Sequence, residues 1–266
     1  MTPIGAAHVI RLAASVLAAL VYVLWGAVPA SARQVDTASA RQATIAVAAN
    51  FTAAAKDIAA AFTAATGHDV RLSIGSTGQL YTQITQGAPF DVFLAADRLH
   101  PQKAVDAGYG IAEHRFTYAT GRLVLYGKAA EMGDGEGTLK RGAFSKIAIA
   151  NPETAPYGAA AVETMSALGI YDRLAAKIVK GNTLTQVYQF IETGNAEVGF
   201  VALSQVVGRS GTSVWMVPEQ LYRPIAQDAV LLQRGAGNEA ALAFVAFLRG
   251  SEAGRIASAH GYGTGE

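Results

Sequence analysis

Residues 44–62 read TIAVAANFTAAAKDIAAAF, and this stretch shows the pattern on which the chain is built. Residues 44–49 have the composition of a buried strand, apolar after Thr44, and the residues that follow Asn50 are apolar at helical spacing. One face of this predicted helix carries Phe51, Ala54, Ala55, Ile58, Phe62 and Ala65. Asn50 is a candidate N-cap, because Asn is favoured where a side chain bonds the first helical turn. A strand that leads directly into a helix is typical of α/β architecture.

The same order of apolar strand, short turn and amphipathic helix recurs along the chain. Further strands are predicted at 70–74, 92–96, 123–126, 147–150, 178–180, 198–203 and 229–233. The stretch from Met132 to Gly142 is polar and Gly-rich, which indicates a loop. Strands that alternate with helices predict parallel crossover connections. We therefore expect a doubly wound sheet in the first half of the chain and a second lobe of the same kind.

The first 32 residues have the composition of a secretory signal. One cation, Arg11, precedes an apolar run over residues 12–28, and Pro29-Ala30-Ser31-Ala32 follows. We expect cleavage near Ala32 and export to the periplasm. The alternative is an uncleaved membrane anchor, because about 17 apolar residues approach the length of a short spanning helix. Residues 33–43 are mostly polar or small and predict a disordered lead-in.

Charge and cysteine content exclude several classes of protein. The chain has 21 Lys and Arg against 20 Asp and Glu, and the leader contains one Arg and no acid. The mature chain would therefore have 20 basic and 20 acidic residues and no net charge. No basic surface that attracts nucleic acid is expected. Because there is no cysteine, disulfides, thiolate metal sites and a lipid-anchored N-terminal Cys are excluded.

Four turns at predicted helix starts contain no Lys or Arg. They are Ala49-Asn50-Phe51, Ser76-Thr77-Gly78, Pro156-Tyr157-Gly158 and Asn182-Thr183-Leu184. A helix N-terminus leaves its first N–H groups without intrahelical partners and carries partial positive charge. If several such turns converge on one cleft, they can bind a small oxyanion through neutral donors. Tyr157 can donate through its hydroxyl or its backbone N–H, and Leu184 only through its backbone.

Each of these residues also has a plain structural explanation. Asn50 and Ser76 or Thr77 can be ordinary helix caps, and Tyr157 can be a packed aromatic ring. What favours a ligand is that two of the turns follow consecutive parallel strands. Open α/β sheets bind their ligands at that edge.

An enzymatic function has little support in the sequence. It lacks a Gly-x-Ser-x-Gly elbow, a Gly-x-x-x-x-Gly-Lys-Ser/Thr phosphate loop and a His-Glu-x-x-His pair. No two histidines are at metal-ligand spacing, so neither a metal site nor a cofactor is expected. An exported α/β hydrolase stays as an alternative, with Ser76 or Ser204 and His260 as its only candidates. A ligand-sensing domain of a transcription regulator is a third class, against which the export signal and the lack of a helix-turn-helix argue.

Several segments resemble the family of molybdate-binding proteins of ABC transporters. They are Ala48-Ala49-Asn50-Phe51, Gly75-Ser76-Thr77-Gly78, the run GAPFDVF over residues 87–93, Asn151-Pro152 and Ala155-Pro156-Tyr157-Gly158. The segments occur in order and at compatible separations from about Thr44 to Tyr262. The resemblance implies a monomeric, non-enzymatic periplasmic binding protein of the second structural type. It would hold molybdate or tungstate between two lobes and deliver it to the membrane permease of an ABC transporter.

The resemblance also implies a domain division and a set of ligand-binding residues. Lobe I would comprise 44–120 plus 226–266 and lobe II 121–225, joined by crossovers near Tyr118–Arg122 and Arg223–Asp228. The metal would be bound as its oxyanion rather than by metal ligands. The residues that carry over are Ala49, Asn50, Ser76, Thr77, Tyr157 and Leu184.

Two positions depart from the family pattern. Many relatives have Ser where this chain has Asn50, and some have a ligand Tyr in the strand where this chain has Ala202. Asn50 can donate through its side-chain amide, and Tyr157 can supply the phenol from another loop.

The choice among oxyanions follows from the donors. None of the four turns contains a carboxylate that could accept the proton of phosphate, although Glu153 lies four residues before Tyr157. We therefore expect a fully deprotonated dianion and rejection of phosphate. A receptor for sulfate stays as an alternative, because only size separates sulfate from molybdate.

Overall fold

The computed structural model describes residues 42–128, 134–210 and 213–264. The predicted leader and residues 33–41 of the predicted lead-in lie outside the described residues. Gln42 and Ala43 belong to the first strand, so the prediction of a disordered segment up to residue 43 is wrong for these two residues. In the described part of the chain, no helix is both long enough and apolar enough to cross a membrane.

The strands form two sheets. The six-stranded sheet has the order β11-β4-β10-β3-β1-β2, and the five-stranded sheet has the order β7-β6-β8-β5-β9. The strands are β1 (Gln42–Ala48), β2 (Asp69–Gly75), β3 (Val92–Leu94), β4 (Gly110–Gly121), β5 (Leu123–Gly127), β6 (Ile147–Ala150), β7 (Ile178–Gly181), β8 (Val198–Ala202), β9 (Ser213–Met216), β10 (Ile225–Leu232) and β11 (Gly263–Thr264). Below, lobe I and lobe II mean the six-stranded and the five-stranded sheet, each with its helices; the predicted lobe boundaries stay a prediction.

Helices connect the strands and cover the sheets. They are α1 (Thr52–Thr66), α2 (Thr77–Thr85), α3 (Leu99–Asp106), α4 (Gly135–Arg141), α5 (Pro156–Ala167), α6 (Tyr171–Leu174), α7 (Leu184–Glu192), α8 (Glu239–Leu248) and α9 (Ser251–Ala259). Short 3-10 turns include Ala49–Phe51 and Leu203–Gln205. The expected doubly wound α/β architecture with two lobes is confirmed.

Both faces of the lobe I sheet carry apolar clusters, which explains why β1 is apolar from Ile45 to Ala48. Successive side chains of a strand point to opposite faces. Ile45 and Val47 accordingly belong to one apolar cluster with Phe62 of α1, whereas Ala46 belongs to a second cluster with Leu80 of α2. The helix α1 ends where Gly67 adopts a left-handed conformation with a φ of 72°. Its predicted apolar face is buried except at its last member, Ala65, which is exposed.

Both sheets are mixed rather than purely parallel. In lobe I, β1 pairs in parallel with β2 and β3, and β10 pairs antiparallel with β3 and β4. In lobe II, β6 is parallel to β7 and β8, and β5 is antiparallel to β8 and β9. The antiparallel strands are the places where the chain passes between the sheets: β4 ends at Gly121 directly before β5, and β10 returns to lobe I.

The loop prediction over 132–142 is wrong for Gly135–Arg141, because α4 forms there; residues 132 and 133 lie outside the described residues. Asp134 caps this helix by accepting hydrogen bonds from the N–H groups of Glu136 and Gly137. Lys140 pairs with Glu136 one turn earlier, and Gly142 ends the helix with a φ of 62°. These capping and pairing effects outweigh the low helix propensity of glycine.

Candidate functional site

The six residues implied by the resemblance meet around one small pocket between the lobes. The residues that line this small pocket are Ala48, Ala49, Asn50, Ser76, Thr77, Ala96, Ala155, Pro156, Tyr157 and Leu184. All six predicted members are buried. Within the described ranges, its lining contains no Asp, Glu, Lys, Arg or His. The small pocket is therefore a neutral, polar site.

Four chain turns bring these residues together. The strands β1, β2 and β7 each end within three residues of a pocket residue, and the turn after β6 leads to the start of α5. The helices α2, α5 and α7 begin at Thr77, Pro156 and Leu184, so their N-terminal ends face the same space. The dipoles of these three helices favour negative charge there.

Asn50 is not the N-cap of α1, contrary to the sequence-based expectation. It lies inside the 3-10 turn Ala49–Phe51, and α1 begins two residues later. Its Nδ2 donates to Gln227 Oε1 at 2.9 Å and to Tyr262 Oη at 3.2 Å. A side-chain amide has two hydrogens, so both are used within the protein. With these two bonds the amide has no hydrogen left for a ligand, and the backbone N–H of Asn50 is the donor that remains.

Ser76 and Thr77 present two hydroxyls to the small pocket. The Ser76 Oγ is buried and has no hydrogen-bond partner among the described residues. Thr77 Oγ1 accepts a hydrogen bond from the Ala96 N–H at 3.0 Å, which leaves its own hydrogen for another acceptor. Neither side chain caps α2: Ser76 occupies the N-cap position without a capping bond, and Thr77 is the first helical residue.

Tyr157 contributes a third hydroxyl. Its oxygen accepts a hydrogen bond from Gln227 Nε2 at 3.3 Å, so its hydrogen is also available to the small pocket. Burial raises the pKa of Tyr157 well above the ordinary value of 10.0, and the neighbouring tyrosines raise it further. Because the group stays protonated, it is a donor over the whole physiological range.

Leu184 lies at the start of α7, where Thr183 is the N-cap. Thr183 Oγ1 accepts from the Gln186 N–H at 3.2 Å. The N–H groups at the very start of the helix have no acceptor within it. The backbone of Leu184 can therefore donate to a ligand, as its apolar side chain cannot.

Sequence reasoning missed a buried polar network behind Asn50. The Asn50 carbonyl accepts from Tyr262 Oη at 2.7 Å and from Ser204 Oγ at 2.9 Å. Gln227 Oε1 accepts from Tyr118 Oη at 3.0 Å. Gln227 lies 177 residues from Asn50. The one sequence signal for its role is that it is a polar residue in a strand that is otherwise mostly apolar.

A second and larger space also lies between the lobes, and we call it the wide cavity. It has a volume of about 540 Å³ and shares Ala96, Ala155 and Pro156 with the small pocket. Its other walls include Arg98, His100, Glu153, Glu163 and Arg223.

The charged groups of the wide cavity bond mostly to one another or to nearby residues. The Arg223 guanidinium pairs with Glu163, and the backbone N–H of Arg223 donates to the same carboxylate at 2.9 Å. His100 Nδ1 lies 2.7 Å from the Asp97 carboxylate, and Arg98 lies 3.7 Å from Asp228.

The residues named for a hydrolase do not assemble. Ser204 Oγ donates to the Asn50 carbonyl, and His260 Nε2 lies 2.8 Å from the carboxylate of Asp57. Among the described residues, neither Ser76 nor Ser204 is hydrogen-bonded to His260. Among the residues that the structure describes, no group of three or more His, Asp or Glu side chains could hold a metal ion.

Comparison with known proteins supports a transport family. A family model described as bacterial extracellular solute-binding protein matches residues 43–263. The chain is 50% identical over 246 residues to the molybdate-binding protein ModA of Rhodobacter capsulatus, which covers 92% of this chain and 94% of the relative. It is 51% identical over 230 residues to ModA of Azotobacter vinelandii, with 85% and 91% of the two chains covered.

A solved structure agrees with these relatives. The periplasmic molybdate-binding protein of Azotobacter vinelandii matches with a TM-score of 0.81 and 35% identity, over 84% of this chain and 100% of that chain. Since the family model spans most of the sequence and two relatives are identical at half or more of the aligned positions, the chain belongs to the bacterial extracellular solute-binding protein family.

Proposed function

We propose that this protein captures molybdate or tungstate in the small pocket and delivers it to the membrane permease of an ABC transporter. The relatives that share half of its sequence are named for binding molybdate. The ligand would be held by the hydroxyls of Ser76, Thr77 and Tyr157 and by the backbone N–H groups near Ala49, Asn50 and Leu184.

The observation that carries this proposal is the convergence of three hydroxyl donors on the small pocket, of which the Ser76 hydroxyl is buried and without a partner among the described residues. A buried polar group without a partner costs about 1–3 kcal/mol, so native proteins rarely keep one without a use. Together with the hydrogens of Thr77 and Tyr157, it gives three hydroxyl donors that face one space. An oxyanion supplies the acceptors that these donors lack.

Neutral donors suit an anion that must be released again. A buried ion pair with Arg would add a large desolvation cost on both sides. Hydroxyls and N–H groups at helix starts satisfy each oxygen without that cost, because their dipoles are already oriented. The charge of the ligand is therefore balanced by dipoles alone.

The same donors favour an oxyanion that carries no proton. Glu153, the carboxylate that the sequence places nearest, lines the wide cavity and not the small pocket. A protonated phosphate would bring a hydrogen that no carboxylate in the lining can accept. Sulfate has no proton, so its exclusion would depend on size.

We further propose that the protein acts as an exported monomer without catalytic activity. The family consists of extracellular solute-binding proteins, and the first 32 residues have the composition of a cleavable signal. Cleavage near Ala32 would release the chain into the periplasm, where a permease receives the ligand.

A thermal-shift and calorimetric titration of the processed protein tests this function. Molybdate, tungstate, sulfate and phosphate are added separately, and a ligand at 100 times its dissociation constant adds about 2.7 kcal/mol of stability. We expect stabilisation by molybdate and tungstate only. A response to sulfate alone would assign the protein to another anion system, phosphate binding would contradict the all-donor site, and no response to any of the four would contradict the proposed oxyanion capture.

A further inference from the structure

Gln227 lies outside the lining of the small pocket but contacts two of its residues. It is fully buried in β10, the strand by which the chain returns to lobe I. The pairing of β10 with β4 shifts register between Gln227 and Asp228. Such β-bulges redirect a side chain and are frequent beside functional sites.

The carboxamide of Gln227 bridges the two lobes. Its Oε1 accepts from Asn50 Nδ2 at 2.9 Å in lobe I, and its Nε2 donates to Tyr157 Oη at 3.3 Å in lobe II. Tyr118 Oη lies 3.0 Å from both Oε1 and the Ala95 carbonyl, which share its single hydrogen, so Asn50 is the donor that orients the amide. The oxygen end of the amide thus faces a donor, which fixes the nitrogen end toward Tyr157.

This orientation determines what Tyr157 offers to the small pocket. A phenol has one hydrogen and can also accept. Because Gln227 donates to the phenol oxygen, Tyr157 does not donate its own hydrogen to Gln227. A group that accepted from Tyr157 would have the opposite effect and would turn a lone pair toward the ligand.

Gly121, at the end of β4 where the chain first passes between the lobes, restricts the positions of Tyr157 and Gln227. A methyl group at Gly121 would lie 2.0 Å from Tyr157 Oη and 2.6 Å from Gln227 Nε2. Both atoms therefore pack directly against the backbone of β4, and the pair has little room to rearrange.

We propose that Gln227 is a positioning residue that determines specificity: by donating to Tyr157 it keeps that hydroxyl a donor, so the small pocket selects an oxyanion that carries no proton. This inference rests on the proposed function. By this inference Gln227, which does not line the small pocket, determines the discrimination between molybdate and hydrogen phosphate.

A double-mutant cycle separates this role from simple packing. Calorimetry with molybdate at pH 8 compares the processed wild-type protein with Gln227→Glu, Tyr157→Phe and the double variant. A carboxylate at this position accepts the Tyr157 hydrogen, and its charge repels the ligand. The repulsion between this carboxylate and the ligand also acts in the Tyr157→Phe background. The change in which way the Tyr157 hydroxyl donates does not, because that variant has no hydroxyl.

We expect Gln227→Glu to cost about tenfold more affinity with Tyr157 present than in the Tyr157→Phe background, as for one hydrogen bond to a charged group. The affinity ratio of molybdate over inorganic phosphate should also fall in Gln227→Glu, because hydrogen phosphate can donate to the exposed lone pair. A merely structural defect would lower the affinities for molybdate and for phosphate by the same factor. Gln233→Glu makes the same charge change at an exposed turn after β10 and should leave both affinities within about twofold.

Gln227→Met provides a neutral second cycle if the Glu variant does not fold by circular dichroism. It should lower molybdate affinity with Tyr157 present and have no further effect in the Tyr157→Phe background. Equal losses in both backgrounds, with unchanged selectivity, would overturn the inference while leaving molybdate binding intact. If the wild-type protein binds none of the ions, the proposed function fails instead.

Discussion

The small pocket and the wide cavity share three wall residues but differ in charge and in how many hydroxyl donors they leave for a ligand. In the wide cavity, Arg223 bonds to Glu163 and His100 to Asp97. In the small pocket, the described lining is uncharged and the Ser76 hydroxyl has no partner there. Within the described ranges, the larger and more charged space has most of its charges paired and one unpartnered buried hydroxyl, on Thr154. The described lining of the smaller space has no charges and has three hydroxyl donors left for a ligand, on Ser76, Thr77 and Tyr157.

The comparison teaches that several unused donors converging on one space mark the candidate site better than volume or charge does. Paired charges at a partly exposed surface contribute little and attract little. A buried hydroxyl without an acceptor is costly, so a ligand that supplies the acceptor binds favourably. Substitutions that add charge, shift donors or remove donors should therefore act strongly in one space and weakly in the other.

The largest contrast should come from adding a negative charge to each space. Ser76→Asp places a carboxylate against the ligand, and two charges about 4 Å apart at an effective dielectric of 20 repel by about 4 kcal/mol. We expect molybdate affinity to fall by about a thousandfold or more. Ala159→Asp adds the same charge to the wall of the wide cavity and should cost less than about tenfold. Calorimetry on both variants measures this contrast, and similar losses would show that the two spaces are not distinct.

Gly121→Ala should have the next largest effect, although Gly121 lines neither space. The added methyl would overlap Tyr157 Oη and Gln227 Nε2, so at least one of them must move. We expect a loss of about 30- to 100-fold in molybdate affinity, as for one misplaced donor to a charged ligand. Gly254→Ala is the matched control, since its methyl would meet nothing within 4 Å. An unchanged affinity in Gly121→Ala would mean that this donor pair can shift freely.

Ser76→Ala should lower affinity and raise the stability of the unliganded protein. The affinity should fall about tenfold, because one donor to the ligand is lost. Thermal unfolding without ligand should show a gain of about 1 kcal/mol, because the buried polar atom has no partner among the described residues to lose. Ser204→Ala is the control of opposite sign, since Ser204 Oγ donates to the Asn50 carbonyl. A loss of unliganded stability in Ser76→Ala would indicate that the hydroxyl is satisfied within the protein.

The smallest effect on affinity should come from the wide cavity, where Glu163→Gln breaks the pair with Arg223. Burial by itself would raise the pKa of Glu163, but the hydrogen bonds and charge of Arg223 outweigh it and lower that pKa below 4.5. The pair therefore stabilises the fold above pH 4.5, and this stability is lost as the pH falls through the lowered pKa.

Molybdate affinity of Glu163→Gln should stay within about threefold of the wild type, and the stability difference at pH 7 should be below about 1 kcal/mol. Thermal unfolding of both proteins from pH 3 to pH 7 should show curves that converge at low pH. A large loss of affinity at pH 7 would show that the wide cavity takes part in binding.

Local sequence patterns were sufficient for the strand, turn and helix units that position the site. The apolar run before Asn50 and the turn at Ser76-Thr77 both have the predicted conformation, because β-branched strands and helix starts are determined by neighbours in sequence. The long strand β4 and the short strand β9 were not predicted. Both pair antiparallel with partners remote in sequence, and that pairing stabilises them.

The directions of the side-chain hydrogen bonds could not be predicted locally. Asn50 has an ordinary capping position by sequence, yet its amide points to Gln227 and Tyr262, which are 177 and 212 residues away. Competition between a local cap and a buried network depends on which long-range partners are present. The sequence therefore indicates which residues meet at the small pocket, and the fold decides which of their atoms face it.

The direct bonds between the lobes affect how long a ligand stays bound. Ser204 Oγ of lobe II donates to the Asn50 carbonyl of lobe I, and the Gly78 N–H of lobe I donates to the Thr154 carbonyl of lobe II at 2.9 Å. Neither bond involves a ligand, yet both must break when the lobes separate. If a ligand leaves only when the lobes separate, its dissociation rate depends partly on contacts that do not distinguish one anion from another. A permease that pulls the lobes apart at these contacts could shorten the residence time of the cargo without competing for any of its oxygens.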